Sequence, residues 1–454
     1  MVHTNYTEDI INTASHVKSY KQLYDAPWKT IMEKKVPLTK TSLINKVPVS
    51  KRLNNKLNIA LICHPCYGFG DIIFALKIYK FMKEWYNIDC TMITTKPAPF
   101  IQNGLKNIFC LKTPGSKTYV ECENLKTMKI YDIDKKGNPT KRANLKIKFD
   151  LIMVTPWIGT DFEPNKSIVK NFLPYANNFN TILFSEYNAP DPHKYDFPTG
   201  IGKNLNGLLI TRFKFSKTIS IKNPYLMVHL TEDHRVDVTK CFSNFIKLMC
   251  KKYHKLYNKL DVIIPKHILD DTKGLQRLFE YIKKRGYYQN IVIKTENSNV
   301  KTPNDTLTLR IDIGPLPYNK YTGLFKNCLP DVLITGDQSV TDIISCCKNY
   351  NIYYQIMPWK TNFAKNLSIA LGKDFIGKVS SSCGLEKFSI RTKLNLKNVS
   401  KNHSFEKLGK PKLDAILTFA LELRRNKYLQ KFIEIVLTSR KKQTVFKKLK
   451  ETSL

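Results

Sequence analysis

Glycine is scarce in this chain, 18 of 454 residues, about 4% where roughly 7% is usual. Two glycines within three residues therefore mark a turn that needs them. Acidic residues are also few, 37 against 74 lysines and arginines. No apolar run approaches the roughly 20 residues that a membrane-crossing helix requires. The opening MVHTNYTEDI lacks the basic start and apolar core of a secretory signal. The eleven cysteines fall at irregular positions, which excludes a disulfide framework of the secreted kind. These absences point to a reducing compartment, cytoplasmic or otherwise intracellular, with free thiols.

What is present suits a globular protein: 42% hydrophobic and 11% aromatic residues in a chain long enough for two domains and an appendage. The formal charge of +37 suggests a polyanionic partner, nucleic acid or an acidic membrane surface. Against this, lysine far outnumbers arginine while asparagine, isoleucine and tyrosine are abundant, as the codon usage of an AT-rich genome would produce. The basic residues are scattered, with local runs only at Lys283 to Arg285, Arg440 to Lys442 and Lys447 to Lys450. A phosphate-bearing small substrate would profit from the same field.

Residues 1–55 are polar and basic without periodicity and read as an extension and linker. From Leu57 the pattern becomes strand, turn, helix: LNIALIC, then Ile72, Leu76, Tyr79, Met82 and Tyr86 at helical spacing. CTMITT, NIFCL and FDLIMVTPW read as further strands of a first α/β unit, 56–220. A clearer series follows over 221–372. It has a strand at Tyr225 to Leu230, a helix from Asp237 to Leu256, the strand LDVIIP, a helix from Thr272 to Arg285 and the strand NIVIKT. A short helix from Tyr318 to Asn327, the strand DVLITGD, a helix from Ser339 and the strand YYQIMPW complete it. Two such units in tandem imply a cleft between them. From Leu371 strands vanish, and 373–454 reads as helical, its amphipathic spacing suited to packing on the protein itself. Peripheral membrane contact through these basic helices is the alternative.

The first chemical signal is Cys63-His64-Pro65-Cys66 followed by Gly68-Phe69-Gly70-Asp71. The C-x-x-C spacing has no second ligand pair, so zinc is unsupported and buried thiols at a strand end are favoured. Gly68 and Gly70 sit at a strand-to-helix junction, where a helix N-terminus points unpaired N–H groups outward. Asp71 there is either a helix cap or a general base at the rim of a cleft. The stretch lacks the third glycine and downstream acid of a dinucleotide fingerprint. A second junction, Thr335-Gly336-Asp337-Gln338-Ser339-Val340-Thr341-Asp342, gathers hydroxyls, backbone N–H groups and a helix start suited to a diphosphate. It also reads as a capping box of Ser339 with Asp342. GPLPYNKYTGLF precedes this patch, where Gly314 and Pro315 either bring backbone close to a base or sugar or form an ordinary loop. Gln355, Trp359 and Lys360 follow it; Lys360 or Arg235 could neutralise a phosphate. Asp132-Ile133-Asp134 has a metal-sharing spacing but sits before the turn DKKGNP, which favours a solvated hairpin. His193, His229, His234, His254 and His267 form no H-E-x-x-H pair, so no metal site is expected.

With both junctions in view, the chain resembles the glycosyltransferases of GT-B architecture, in which two Rossmann-like domains face each other across a cleft. Gly68-Phe69-Gly70-Asp71 before IIFALKIYKFMK resembles the glycine-aspartate start of the heptosyltransferase-like family, and the resemblance implies a catalytic base at Asp71. DVLITGDQSVTDIIS resembles the donor-phosphate turn of that class, implying donor contacts at Gly336, Asp337, Gln338, Ser339 and Thr341. The proline of the family's first helix and the Gly-x-x-His continuation of its donor turn are absent here. The expectation is a metal-independent glycosyltransferase without a cofactor. A nucleotide-sugar donor would be its substrate, and a glycan, lipid or protein its acceptor. The alternatives are a nucleic-acid or polyanion binder on an inactive α/β scaffold, and a sugar-nucleotide hydrolase or epimerase.

Overall fold

The computed structural model describes residues 57–65, 69–112, 129–145, 148–156, 181–211, 219–232, 237–296, 303–314, 316–346, 350–372, 385–389 and 393–425. The extension 1–55, Cys66, Gly68, Arg235, Pro315 and the chain beyond 425 lie outside the described residues.

The chain forms two α/β units. In the first, the apolar run Ile59–Cys63 is β1, fully buried, followed by α1 (Gly70–Tyr86), β2 (Thr91–Thr94), α2 (Ala98–Gln102) and β3 (Ile108–Lys112). β4 (Lys129–Ile133) and β5 (Pro139–Arg142) make a hairpin, and β6 (Leu151–Val154) and β7 (Thr181–Leu183) close the sheet. Its strand order is β5-β4-β3-β2-β1-β6-β7, parallel except for the hairpin.

The second unit runs β8 (Tyr225–His229), α3 (Val238–Tyr253), β9 (Lys259–Ile263), α4 (Thr272–Lys284), β10 (Asn290–Lys294) and β11 (Thr306–Arg310). It continues with α5 (Tyr318–Asn327), β12 (Asp331–Thr335), α6 (Asp337–Cys346), β13 (Asn351–Gln355) and α7 (Thr361–Ala370). A last strand, β14 (Leu385–Ser389), pairs antiparallel with β13 and gives the order β10-β11-β9-β8-β12-β13-β14. This strand corrects the reading of the chain after Leu371 as helical only. LEKFS is a short edge strand with one partner, so no buried apolar run announces it.

Each sheet therefore has a point where the strand order reverses, at β1 in the first and at β8 and β12 in the second. In open α/β sheets the crevice beyond the carboxyl ends of such strands is where ligands bind. With these two sheets facing, the architecture is the two-unit GT-B arrangement.

The described segment after β14 returns to the first unit. α8 (Lys393–Asn402), α9 (Phe405–Leu408) and α10 (Lys410–Arg425) follow β14. The amphipathic face of α10 is buried at Leu413, Ile416, Leu417, Ala420 and Leu421, so within the described residues this segment packs on the protein. The Tyr86 hydroxyl donates to Asp414 at 2.6 Å, and Arg424 pairs with Asp150 at 2.8 Å.

Candidate functional site

The crevice between the units is a cleft of about 2070 Å³ lined by both. Its floor is built where two helix starts meet. α1 begins at Gly70, as the next helix after β1, and α6 at Asp337, with Gly336 between it and β12. A Cβ on Gly70 would lie 3.9 Å from the side chain of Gln338, so the two N-termini abut. Each presents N–H groups without intrahelical partners and the positive end of a helix dipole. Gly336 supplies the bend before α6 with φ of +80°, a conformation in which a side chain is strained.

Two turns down α1 from Gly70, on the same face, stands Lys77, only 1% exposed. Its ammonium donates to Asp342 at 2.7 Å and to Gln338 at 3.1 Å, one turn apart on α6. Tyr318, the first residue of α5, donates its hydroxyl to the same Asp342 carboxylate at 2.5 Å. Burial raises the Asp342 carboxyl, and Lys77 opposes that shift. Asp342 therefore does not cap its helix, and Ser339 lies inside α6, which begins two residues earlier than expected. In place of the capping box of Ser339 and Asp342, the Asp342 carboxylate bridges the two units.

Asp71 lines the cleft from the first turn of α1, 6% exposed. The capping residue is Phe69, with no side-chain cap, so Asp71 is a carboxylate within the helix start and not its cap. Gly336, Asp337, Gln338 and Ser339 line the cleft opposite; Thr341 does not, its hydroxyl donating to the Asp337 carbonyl at 2.7 Å. Lys360 also lines the cleft, held between Asp337 at 2.7 Å and Glu186 at 2.5 Å. Burial alone would lower the Lys360 ammonium, but the two carboxylates together hold it above its ordinary range. Its charge is thus balanced within the protein. Gln355 is buried at the end of β13 and accepts from the Thr231 amide at 3.3 Å, while Trp359 stands 44% exposed in the cleft.

Glu186 is a cleft residue that sequence reasoning missed. It joins the first unit to Asp337 through Lys360, and its second oxygen has no hydrogen-bond partner among the described residues. Burial, with Asp337 adding to it, raises this carboxyl against the pull of Lys360. FSEYNAP carries no motif that would have flagged it. The fold also brings His267 near the cleft-lining His229, whose imidazole is lowered to about 4 by burial and by that neighbour. Asp134 lies in the β4–β5 turn, accepting from the amides of Lys136 and Asn138 at 2.8 Å. No group of three potential metal-binding side chains occurs among the described residues, and no helix there is long and apolar enough to cross a membrane.

No family model and no curated protein matches the chain in sequence. Among solved structures, the UDP-GlcNAc 2-epimerase of Neisseria meningitidis bound to UDP-GlcNAc is similar at 9% identity. The likeness covers 80% of this chain and 100% of that one, with a TM-score of 0.42. The UDP-GlcNAc 2-epimerase of Methanocaldococcus jannaschii is similar at 13% identity, over 78% and 94% of the two chains, with a TM-score of 0.39. The E. coli heptosyltransferase WaaC with ADP-2-deoxy-2-fluoro heptose is similar at 9% identity over 67% and 91%, with a TM-score of 0.31.

Proposed function

We propose that the protein is a glycosyltransferase that moves a sugar from a nucleotide-diphosphate sugar to an acceptor hydroxyl. The observation that carries the reading is the meeting of two switch-point helix N-termini, with the Asp71 carboxylate beside them, on the floor of one cleft. The donor diphosphate would rest on the amides of Gly336, Asp337, Gln338 and Ser339. Charge developing on the departing nucleotide would be stabilised there without reorganisation of the protein. Asp71, on the facing helix, would take the proton from the acceptor hydroxyl as the glycosidic bond forms. Lys360 would serve by fixing Asp337 and Glu186, its charge already matched. At about 2070 Å³ the cleft exceeds the roughly 300–1000 Å³ of a site for one small ligand, and a transferase must hold two substrates.

A ligand that binds only the folded protein raises its melting temperature, so a screen of nucleotide sugars by thermal shift identifies the donor. With that donor, Asp71→Asn should bind as tightly as the parent and lose turnover by about 100-fold or more. Unchanged transfer by this variant would remove the base from Asp71. The net charge of +37 favours a second reading, a polyanion binder on this scaffold. DNA affinity falling steeply between two salt concentrations, with no nucleotide-sugar response, would decide for it.

A further inference from the structure

Seven large apolar side chains are exposed among the described residues. Five of them are aliphatic, Leu248, Leu256, Ile293, Ile369 and Leu408, and none of these lines the cleft. The other two, Phe69 at 62% and Trp359 at 44%, are aromatic and both line it. They come from opposite units: Phe69 from the residue preceding α1, Trp359 from the turn Pro358–Lys360 between β13 and α7. Each ring is followed by polar cleft residues, Asp71 after Phe69 and Lys360 and Asn362 after Trp359.

We propose that Phe69 and Trp359 form the two aromatic faces of a carbohydrate-binding subsite for the acceptor, so that the acceptor is a glycan; this rests on the transferase reading above. A pyranose presents axial C–H groups on one face and hydroxyls around its rim. The C–H groups carry partial positive charge and sit well against the negative face of an aromatic ring. The rim hydroxyls need donors and acceptors, and Asp71 and Asn362 bring them to the same cleft. A lipid chain would instead be met by exposed aliphatic side chains, and none of the five exposed ones lines this cleft. A mobile donor sugar alone would not need a ring on each unit.

The test titrates the full chain with maltotetraose, cellotetraose and chitotetraose, and with phosphatidylglycerol vesicles, reading tryptophan emission and binding heat. At least one tetrasaccharide should bind saturably. Phe69→Leu and Trp359→Leu should each weaken it about three- to tenfold, while Phe69→Tyr and Trp359→Phe, which keep a ring, stay within about twofold. The subsite is overturned if no tetrasaccharide binds, if the leucine variants bind as well as the parent, or if only the vesicles bind. Nucleotide-sugar binding measured alongside separates the two claims. A nucleotide-sugar response without saccharide binding ends the subsite and leaves the transferase reading. Ring-dependent saccharide binding without any nucleotide-sugar response leaves the subsite and ends the transferase.

Discussion

His64, immediately after β1, shows how burial becomes a property that can be titrated. It is 4% exposed, with Nδ1 3.1 Å from the Thr95 hydroxyl. Burial first, and the positive charge of Lys96 second, lower its imidazole to about 4. In the unfolded chain the same ring takes a proton near pH 6.5, so between about 6.5 and 4 the unfolded state binds the extra proton. Stability should thus be flat above that window and fall as the pH drops through it, with His64 contributing about 1 kcal/mol by pH 5.5. Lowered for the same reason, His229 adds a loss of the same sign. Urea midpoints measured from pH 7.5 to 5.5 should show a shallower decline for His64→Gln than for the parent. Equal slopes would mean that His64 is protonated in the folded protein.

At the scale of elements, the pairing of α1 with α6 decides how the two units are held. Lys77 and Asp342 are both buried, and removing one partner from such a pair costs about 3–5 kcal/mol because the other charge is left unmatched. Lys77→Met should therefore destabilise by about that amount. Adding Asp342→Asn, which removes the charge yet keeps an acceptor for Tyr318, should recover most of the loss. Denaturant unfolding of the two single variants and the double one closes the cycle; additive effects would show that the pair is not coupled. In sequence, Lys77 is one lysine among many, and nothing local distinguishes it. The elements themselves were far more legible: α5 has the predicted bounds, and β8, β9, β12 and β13 follow the apolar runs, because buried parallel strands must be apolar on both faces. The edge strand PTKR, largely exposed, lacks that requirement and was announced only by the hairpin turn DKKGNP before it, and the edge strand β14 left no trace. The α6 start was misplaced by two residues because Ser339 looked like a cap. Only the fold shows that Asp342 faces Lys77. Gly336 and Asp71 were legible as junction residues, whereas Glu186 reaches the cleft solely through tertiary placement.

At the scale of the whole molecule, one of the three buried apolar clusters among the described residues runs through both units. Leu61, Met153 and Ile182 of the first sheet belong to the same buried cluster as Met227, Ile334 and Ile352 of the second and as Leu413 and Leu417 of α10. Phe405, fully buried at the start of α9, stacks against Phe81 and Trp85 of α1 and touches Phe184 and Phe197 beyond β7. Its amide donates to the Leu208 carbonyl at 2.7 Å, fastening the returning helical segment to the first unit. Sharing a core, the units cannot unfold separately without exposing apolar surface on the one that remains, so calorimetry should show a single transition. Phe405→Ala would leave a cavity among four rings and lower stability by about 3–5 kcal/mol. Because the ring belongs to the common core, that loss should move the whole transition to lower temperature without splitting it. Two resolved transitions in the parent protein, or a Phe405→Ala variant in which the first unit melts alone while the second keeps its parental midpoint, would show that the core is divided at the cleft.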